Sequence, residues 1–131
     1  TPSSTVPVLS PSTYQASNNS FSPKSGRGFT RLGEIKPDFA APGVSVPGPG
    51  PASSYVSFSG SSASAAITSG AAALFLQWGI QRIPSRYFTA QEVKNYLIRG
   101  AERTDTITYP NREWGYGKLQ LYHSFLSLMT N

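Results

Sequence analysis

The sequence predicts a mixed α/β chain in which strands and loops come first and helices follow. Two observations carry this expectation. Nine of the eleven prolines precede Ser62 and punctuate short apolar runs, leaving only Pro84 and Pro110 after it, and proline suits strand edges and turns but breaks helix interiors. Beyond Ser62, three stretches instead repeat apolar residues at helical spacing. The 131 residues are read as one unit, residues 1–60 forming the strand-and-loop part and residues 61–131 the helical part.

Val6 to Leu9 is the first strand candidate, followed by a Ser/Asn/Pro-rich loop reaching Phe21. Lys36-Pro37-Asp38-Phe39-Ala40-Ala41-Pro42-Gly43 reads as a short buried strand bounded by prolines, with Val44-Ser45-Val46 as its extended continuation. Gly48-Pro49-Gly50-Pro51 excludes helix, and Tyr55-Val56-Ser57-Phe58-Ser59 alternates at the period of a strand, so the two extended pieces are expected to pair as a hairpin. Ser62 to about Gly79 carries no charge and is apolar on every face, the pattern of a helix buried inside a larger body. Thr89-Ala90-Gln91-Glu92 is a capping box that opens a helix with Val93, Tyr96 and Leu97 inward and an end at Gly100. Leu119, Tyr122, Leu126 and Met129 set the inward stripe of the last helix, which Leu121, Phe125 and Leu128 widen.

Composition narrows the chemistry. There is no cysteine, which removes disulfides, Cys-ligated zinc and thiol catalysis, and the single histidine, His123, removes a His-based metal cluster. No metal or cofactor is expected. The net charge of +5 is not concentrated: Arg82, Arg86, Lys94, Arg99, Arg103, Arg112 and Lys118 are interleaved with Glu92, Glu102, Asp105 and Glu113 and read as solvated surface, so no nucleic-acid partner is expected. The best apolar run, Ala63 to Ile80, is interrupted by Ser64, Thr68, Ser69, Gly70 and Gln77, and no membrane span is expected. Thr1-Pro2-Ser3-Ser4 lacks the basic start and apolar core of a signal peptide.

The candidate nucleophile lies in Ser59-Gly60-Ser61-Ser62-Ala63, where a strand gives way to a helix. The first turn of a helix presents unpaired N–H groups, so a serine there is placed to attack a carbonyl while its own N–H steadies the oxyanion. The same position equally suits a simple N-cap for Ser61 or Ser62. His123, the one available histidine base, falls within the last helical pattern and reads as a surface residue. Ser62, Asp105 and His123 follow the Ser…Asp…His order of α/β-hydrolases, but Gly60-Ser61-Ser62-Ala63-Ser64 lacks the final glycine of G-x-S-x-G. Lys24-Ser25-Gly26-Arg27-Gly28 lacks the spacing of a phosphate loop and reads as a tight turn. Glu34 and Asp38, four apart across Pro37, are read as loop residues rather than a paired acid and base.

Six segments, in order, resemble the C-terminal half of the subtilisin-like serine protease family, and specifically its clostridial branch, which includes spore-germination proteases. Ser25-Gly26-Arg27-Gly28 is similar to the family's serine/arginine/glycine turn, and Lys36 to Gly43 to its K-P-D-x-x-A-P-G strand and turn. Gly60-Ser61-Ser62 stands where the family has G-T-S, and Ile67-Thr68-Ser69-Gly70-Ala71-Ala72-Ala73-Leu74 resembles V-A-G-A-A-A-L of its nucleophile helix. Tyr96 to Ala101 and Tyr109 to Gly117 are similar to the branch's last helix pair and its G-Y-G turn. Ser61, Ala63 and Ala66 replace threonine, methionine and proline of G-T-S-M-A-x-P, and Val8-Leu9-Ser10-Pro11-Ser12-Thr13-Tyr14 matches a strand usually reading V-I-T-V-G-A-Y, where Pro11 would remove a ladder donor.

The resemblance implies a parallel sheet flanked by helices, peptide hydrolysis through an acyl-enzyme, and Ser62 as both nucleophile and oxyanion N–H donor. It implies no cofactor, a peptide or protein substrate, and a secreted or spore-associated bacterial protein. The family's triad runs Asp…His…Ser, so its Asp, His and oxyanion Asn would lie upstream of Thr1; Asn18, Asn19 and Asp38 match none of them. The chain is accordingly expected to be inactive alone and to associate with the N-terminal portion of the same domain or with itself. A pseudoprotease or interaction module on the same scaffold is the alternative from another class, and a small α/β-hydrolase using Ser62, Asp105 and His123 is the third.

Overall fold

The computed structural model describes residues 5–130, so the reading of Thr1 to Ser4 lies outside it. A parallel pair forms the centre of a three-stranded sheet. Strand β1 (Pro11–Gln15) runs alongside β3 (Phe39–Pro42) in the register Pro11 with Phe39 to Tyr14 with Pro42, and the short β2 (Ser20–Phe21) adds antiparallel to the other side of β1. Beyond β3, the Ala40 N–H donates to Gly117 O and the Leu119 N–H to Ala40 O, both at 2.8 Å, so the chain before the last helix extends the sheet.

The first strand therefore lies downstream of Val6 to Leu9. Pro11 opens β1, and a strand's first position is one of the few in a sheet where a residue without an N–H is accommodated. Of the Lys36 to Gly43 strand only Phe39–Pro42 forms, with Phe39, Ala40 and Ala41 fully buried. Val44-Ser45 is a turn rather than a continuation, with Ser45 at φ 54°. The hairpin forms from β4 (Val46–Pro49) and β5 (Tyr55–Phe58), joined across a 3-10 turn at Pro51–Ser53. Gly48 and Pro49 thus belong to a strand, and all four residues of β5 are exposed.

Helix α1 (Ser61–Arg82) outruns Gly79 by three residues. Gly79 serves packing rather than termination: a Cβ there would lie 2.8 Å from the Phe88 ring and 3.4 Å from Leu128. Its buried residues, Ser64, Thr68, Ala71, Phe75 and Gly79, form one stripe at helical spacing. The opposite face is open in this chain, Leu74 being 54% and Ile80 51% exposed, so the helix is not enclosed on every side as its composition suggested. With a mean hydropathy of 1.3 over its most apolar 18 residues, this 22-residue helix would satisfy the length and composition of a membrane span despite its polar interruptions, but the stripe packs on β1, β3 and the other two helices.

Helix α2 (Ala90–Arg99) starts on the expected capping box, Thr89 Oγ1 accepting from the Glu92 N–H at 3.2 Å while the Glu92 carboxylate accepts from the Thr89 N–H at 2.8 Å. Val93, Tyr96 and Leu97 are buried as read. Helix α3 (Leu121–Met129) turns a different face inward from the one expected. Ser124 and Leu128 are buried, Leu121 and Phe125 pack on the core, and Tyr122, Leu126 and Met129 are exposed. Ser124 is chosen for its size, since Gly100 at the end of α2 lies directly against its backbone and side chain.

The core is the cluster Phe39, Phe75, Val93, Tyr96, Leu97 and Leu128. Phe75 centres it, stacked with Phe125 at 6.2 Å and meeting Tyr96 at 5.4 Å and Phe88 edge-on at 5.8 Å. Aromatic pairs at such distances add about 0.5–1.5 kcal/mol each beyond burial. This cluster fixes the far half of α1 and leaves its N-terminus at the end of β3 and the hairpin.

Candidate active site

The turn into α1 is held from three directions. The Gly60 N–H donates to Gly43 O at 2.8 Å, the Ser45 N–H donates to Ser59 Oγ at 2.8 Å, and Ser64 Oγ donates to Ala41 O at 3.1 Å and lies 2.9 Å from Thr13 Oγ1. The first turn of α1 is thereby pinned to the ends of both parallel strands. Gly60 takes φ 142°, a conformation that side chains rarely adopt. Gly43 has no room for a Cβ, which would lie 2.6 Å from Thr13 Cγ2 and 2.9 Å from Gly60 O.

Gly60 is the N-cap, and no side chain caps the helix. The capping reading of Ser61 and Ser62 is therefore replaced: they occupy the first two helical positions, both exposed. Only the next N–H groups fold back, Ala63 N and Ser64 N donating to Gly60 O at 3.1 and 3.4 Å. The Ser62 side chain makes no hydrogen bond among the described residues. It lines an apolar groove of about 510 Å³ between the hairpin and the first turns of α1, with Val46, Pro47, Phe58, Ala66 and Ile67 as walls. Ser61 faces away, lining two further grooves of about 280 and 270 Å³.

The other candidates are elsewhere. His123 is exposed on α3, where its ring meets, among the described residues, only Tyr122 at 6.3 Å. Two residues later, Phe125 packs on Phe75 and Trp78, thirteen and sixteen positions after Ser62, which at 1.5 Å per residue is about 20 Å or more along α1. Asp105 is exposed on the loop after α2. The constellation Ser62, Asp105, His123 is thus not assembled, and the α/β-hydrolase reading falls. Asn18 Oδ1 accepts from the Ser20 N–H and Asn19 Oδ1 from Lys118 Nζ, so both side chains are engaged within the loop and with Lys118. The Lys24 to Gly28 segment is a turn: Ser25 Oγ accepts from the Thr13 N–H and the Gly28 N–H donates to Arg112 O, both at 2.9 Å. No group of three or more metal-ligating side chains occurs among the described residues.

Asp38 lies in the loop just before β3, but it is not a solvated residue. It is 1% exposed, and its carboxylate takes 2.8 Å bonds from Lys36 Nζ, Lys94 Nζ and the Ser10 N–H. The same two ammonium groups reach the main-chain carbonyls of Val8 and Val6, at 2.6 Å each. Burial pushes the Lys36 ammonium below its ordinary range, opposed by its bond to Asp38. Burial pushes the Tyr14 phenol, beside the Trp114 ring, upward, with Lys118 opposing. Nor are the cations of the helical half plain surface. Lys94 is buried, Lys118 pairs with Glu102, Arg103 donates to the Tyr116 and Ile98 carbonyls, and Arg82, Arg86, Arg99 and Arg112 each cover an aromatic ring.

Residues 1–117 match the Subtilase family. Among solved structures, the CspB protease of Clostridium perfringens is 36% identical with a TM-score of 0.86, over 95% of this chain and 27% of that one. The prenylagaramide maturation protease PagA is 26% identical with a TM-score of 0.77, over 97% and 44%. The patellamide maturation protease PatA, at 24% identity, shares the fold with a TM-score of 0.79, over 99% and 46%. No curated protein matches the chain. The chain therefore spans about a quarter of one of these relatives and under half of the other two.

Proposed function

The chain belongs to the subtilase family, and from that premise we propose that it is the C-terminal portion of a serine endopeptidase catalytic domain, with Ser62 as the nucleophile. The observation that carries the reading is the position of Ser62. Its hydroxyl is exposed beside a groove, on a turn forced by Gly60 and braced by Gly43 and Ser64, with unengaged N–H groups at the head of the helix.

In the reaction, Ser62 Oγ attacks the scissile carbonyl and its proton passes to a base. The tetrahedral oxyanion is held by the Ser62 N–H together with a donor from the rest of the domain. Collapse breaks the C–N bond, the proton goes to the leaving amine, and water then releases the acyl group by the same steps in reverse roles. The base must come from outside this chain, because His123 is the one histidine and lies down the helix. The chain alone is accordingly inactive; losing the base in subtilisin itself, a family relative, costs on the order of 10⁶ in kcat. The 36% identity to the clostridial protease over 95% of the chain supports placing the parent protein in that branch. The open face of α1 supports a partner surface that the N-terminal portion of the same domain covers.

A fluorophosphonate probe applied to the full-length protein tests the assignment. Labelling is expected on Ser62 and is abolished in Ser62→Ala. A folded full-length protein that takes no label at Ser62 would return the scaffold to the pseudoprotease reading, which the alanines at 63 and 66 permit.

A further inference from the structure

We propose that the groove on the Ser61 side of the turn receives an acidic side chain of the peptide substrate, glutamate above all, with Lys24 as the specificity-determining cation. The inference rests on the reading that a peptide lies across Ser62, and deepens it by naming what that peptide carries. The groove, of about 280 Å³, is bounded by Gly60 and Ser61 of the turn and by Phe21, Val44 and Lys24. A side chain entering it therefore comes from a residue close to the bond that Ser62 would attack.

Its chemistry is set by which polar groups remain available. Thr13 and Ser25 in its wall are bonded to one another and to Ser64 and Gly26, Gln15 donates to Ser17, and Ser20 donates to Asn18. No carboxylate lines the groove, and Lys24 is its one charged residue. Lys24 is also set apart from the other cations. Of the eleven lysines and arginines, all but Lys24 and Arg31 engage a carboxylate, a carbonyl oxygen or an aromatic ring among the described residues. Arg31 borders none of the three grooves at the turn. A cation without a partner among the described residues, in a groove that also offers the apolar surfaces of Phe21 and Val44, selects a carboxylate on an aliphatic stem, since the methylenes would lie along those two side chains while the charge meets the ammonium. The groove on the Ser62 side has no charged lining and takes an apolar neighbour instead.

The test uses the full-length protein carrying Ser62→Ala, so that bound peptides survive, and a library of random octapeptides whose retained fraction is sequenced. Glutamate is expected to be enriched at one fixed position over glutamine by up to about five-fold, the upper end for an exposed ion pair. The enrichment should fall as salt rises, vanish in Lys24→Gln, and invert toward lysine and arginine in Lys24→Glu. Absence of positional enrichment, or enrichment indifferent to Lys24, would overturn the proposal. Fluorophosphonate labelling of the unsubstituted protein reports separately on Ser62, so a failed groove and a failed nucleophile give different results.

Discussion

One carboxylate holds two buried ammonium groups at Asp38, and its removal would leave both without their charge partner. Breaking a buried pair in this way costs about 3–5 kcal/mol, whereas an exposed pair is worth about 0.2–1 kcal/mol. Asp38→Ala is therefore expected to lower the unfolding free energy by that larger amount in chemical denaturation. Glu113→Ala, which removes the half-exposed partner of Arg27, should barely register; equal effects would refute the account. This cluster was only half legible in the sequence. Lys36-Pro37-Asp38 announces a strand, but Lys94 stands on an amphipathic helix far along the chain, where local pattern makes it look solvated. Gly60 was legible as a turn, while the fact that Gly60 and not a serine caps α1 depends on its backbone angle, which composition does not carry.

Among the elements, α2 was readable end to end because its signals are local. Thr89 and Glu92 satisfy each other's N–H groups within one turn, and this bonding holds the Glu92 carboxyl below the usual carboxylate range. The pH consequence has a definite sign. A depressed folded value contributes stability above the unfolded value of about 4.3, and that contribution is lost as pH falls through the folded one. Circular dichroism melts of the folded protein between about pH 5 and pH 3 should show this loss, and Thr89→Ala should cost about 1 kcal/mol near neutrality while flattening the acid dependence. An unchanged acid profile in Thr89→Ala would show that the box does not control the helix start. Helix α3 was legible as a helix but not in orientation, because seven apolar residues between Leu119 and Met129 give no unique face. The close approach of Gly100 to Ser124 decides it, and that is a tertiary fact.

For the molecule as a whole, the order of strands before helices and the turn at Ser62 were visible from residue pattern, and the parallel pairing followed from family resemblance. What pattern could not give is which side of α1 is covered within this chain. Ala65, Ala66, Ala73, Leu74 and Ile80 present an uncharged, exposed surface along the helix, and large exposed apolar patches mark contact sites. The isolated 131-residue chain is accordingly expected to sediment above its 14.0 kDa monomer mass, and Leu74→Lys with Ile80→Lys to shift it toward monomer. A compact, soluble monomer without those substitutions would count against a missing cover. The long-range fastenings have a further consequence for synthesis. The Ser12 hydroxyl donates to Glu113 O across 101 positions, and Lys94 reaches Val6 O across 88. Although β1 pairs with β2 and β3 early, synthesis must reach Glu113 before these last ties can close, and such distant closures slow folding and prolong exposure to aggregation.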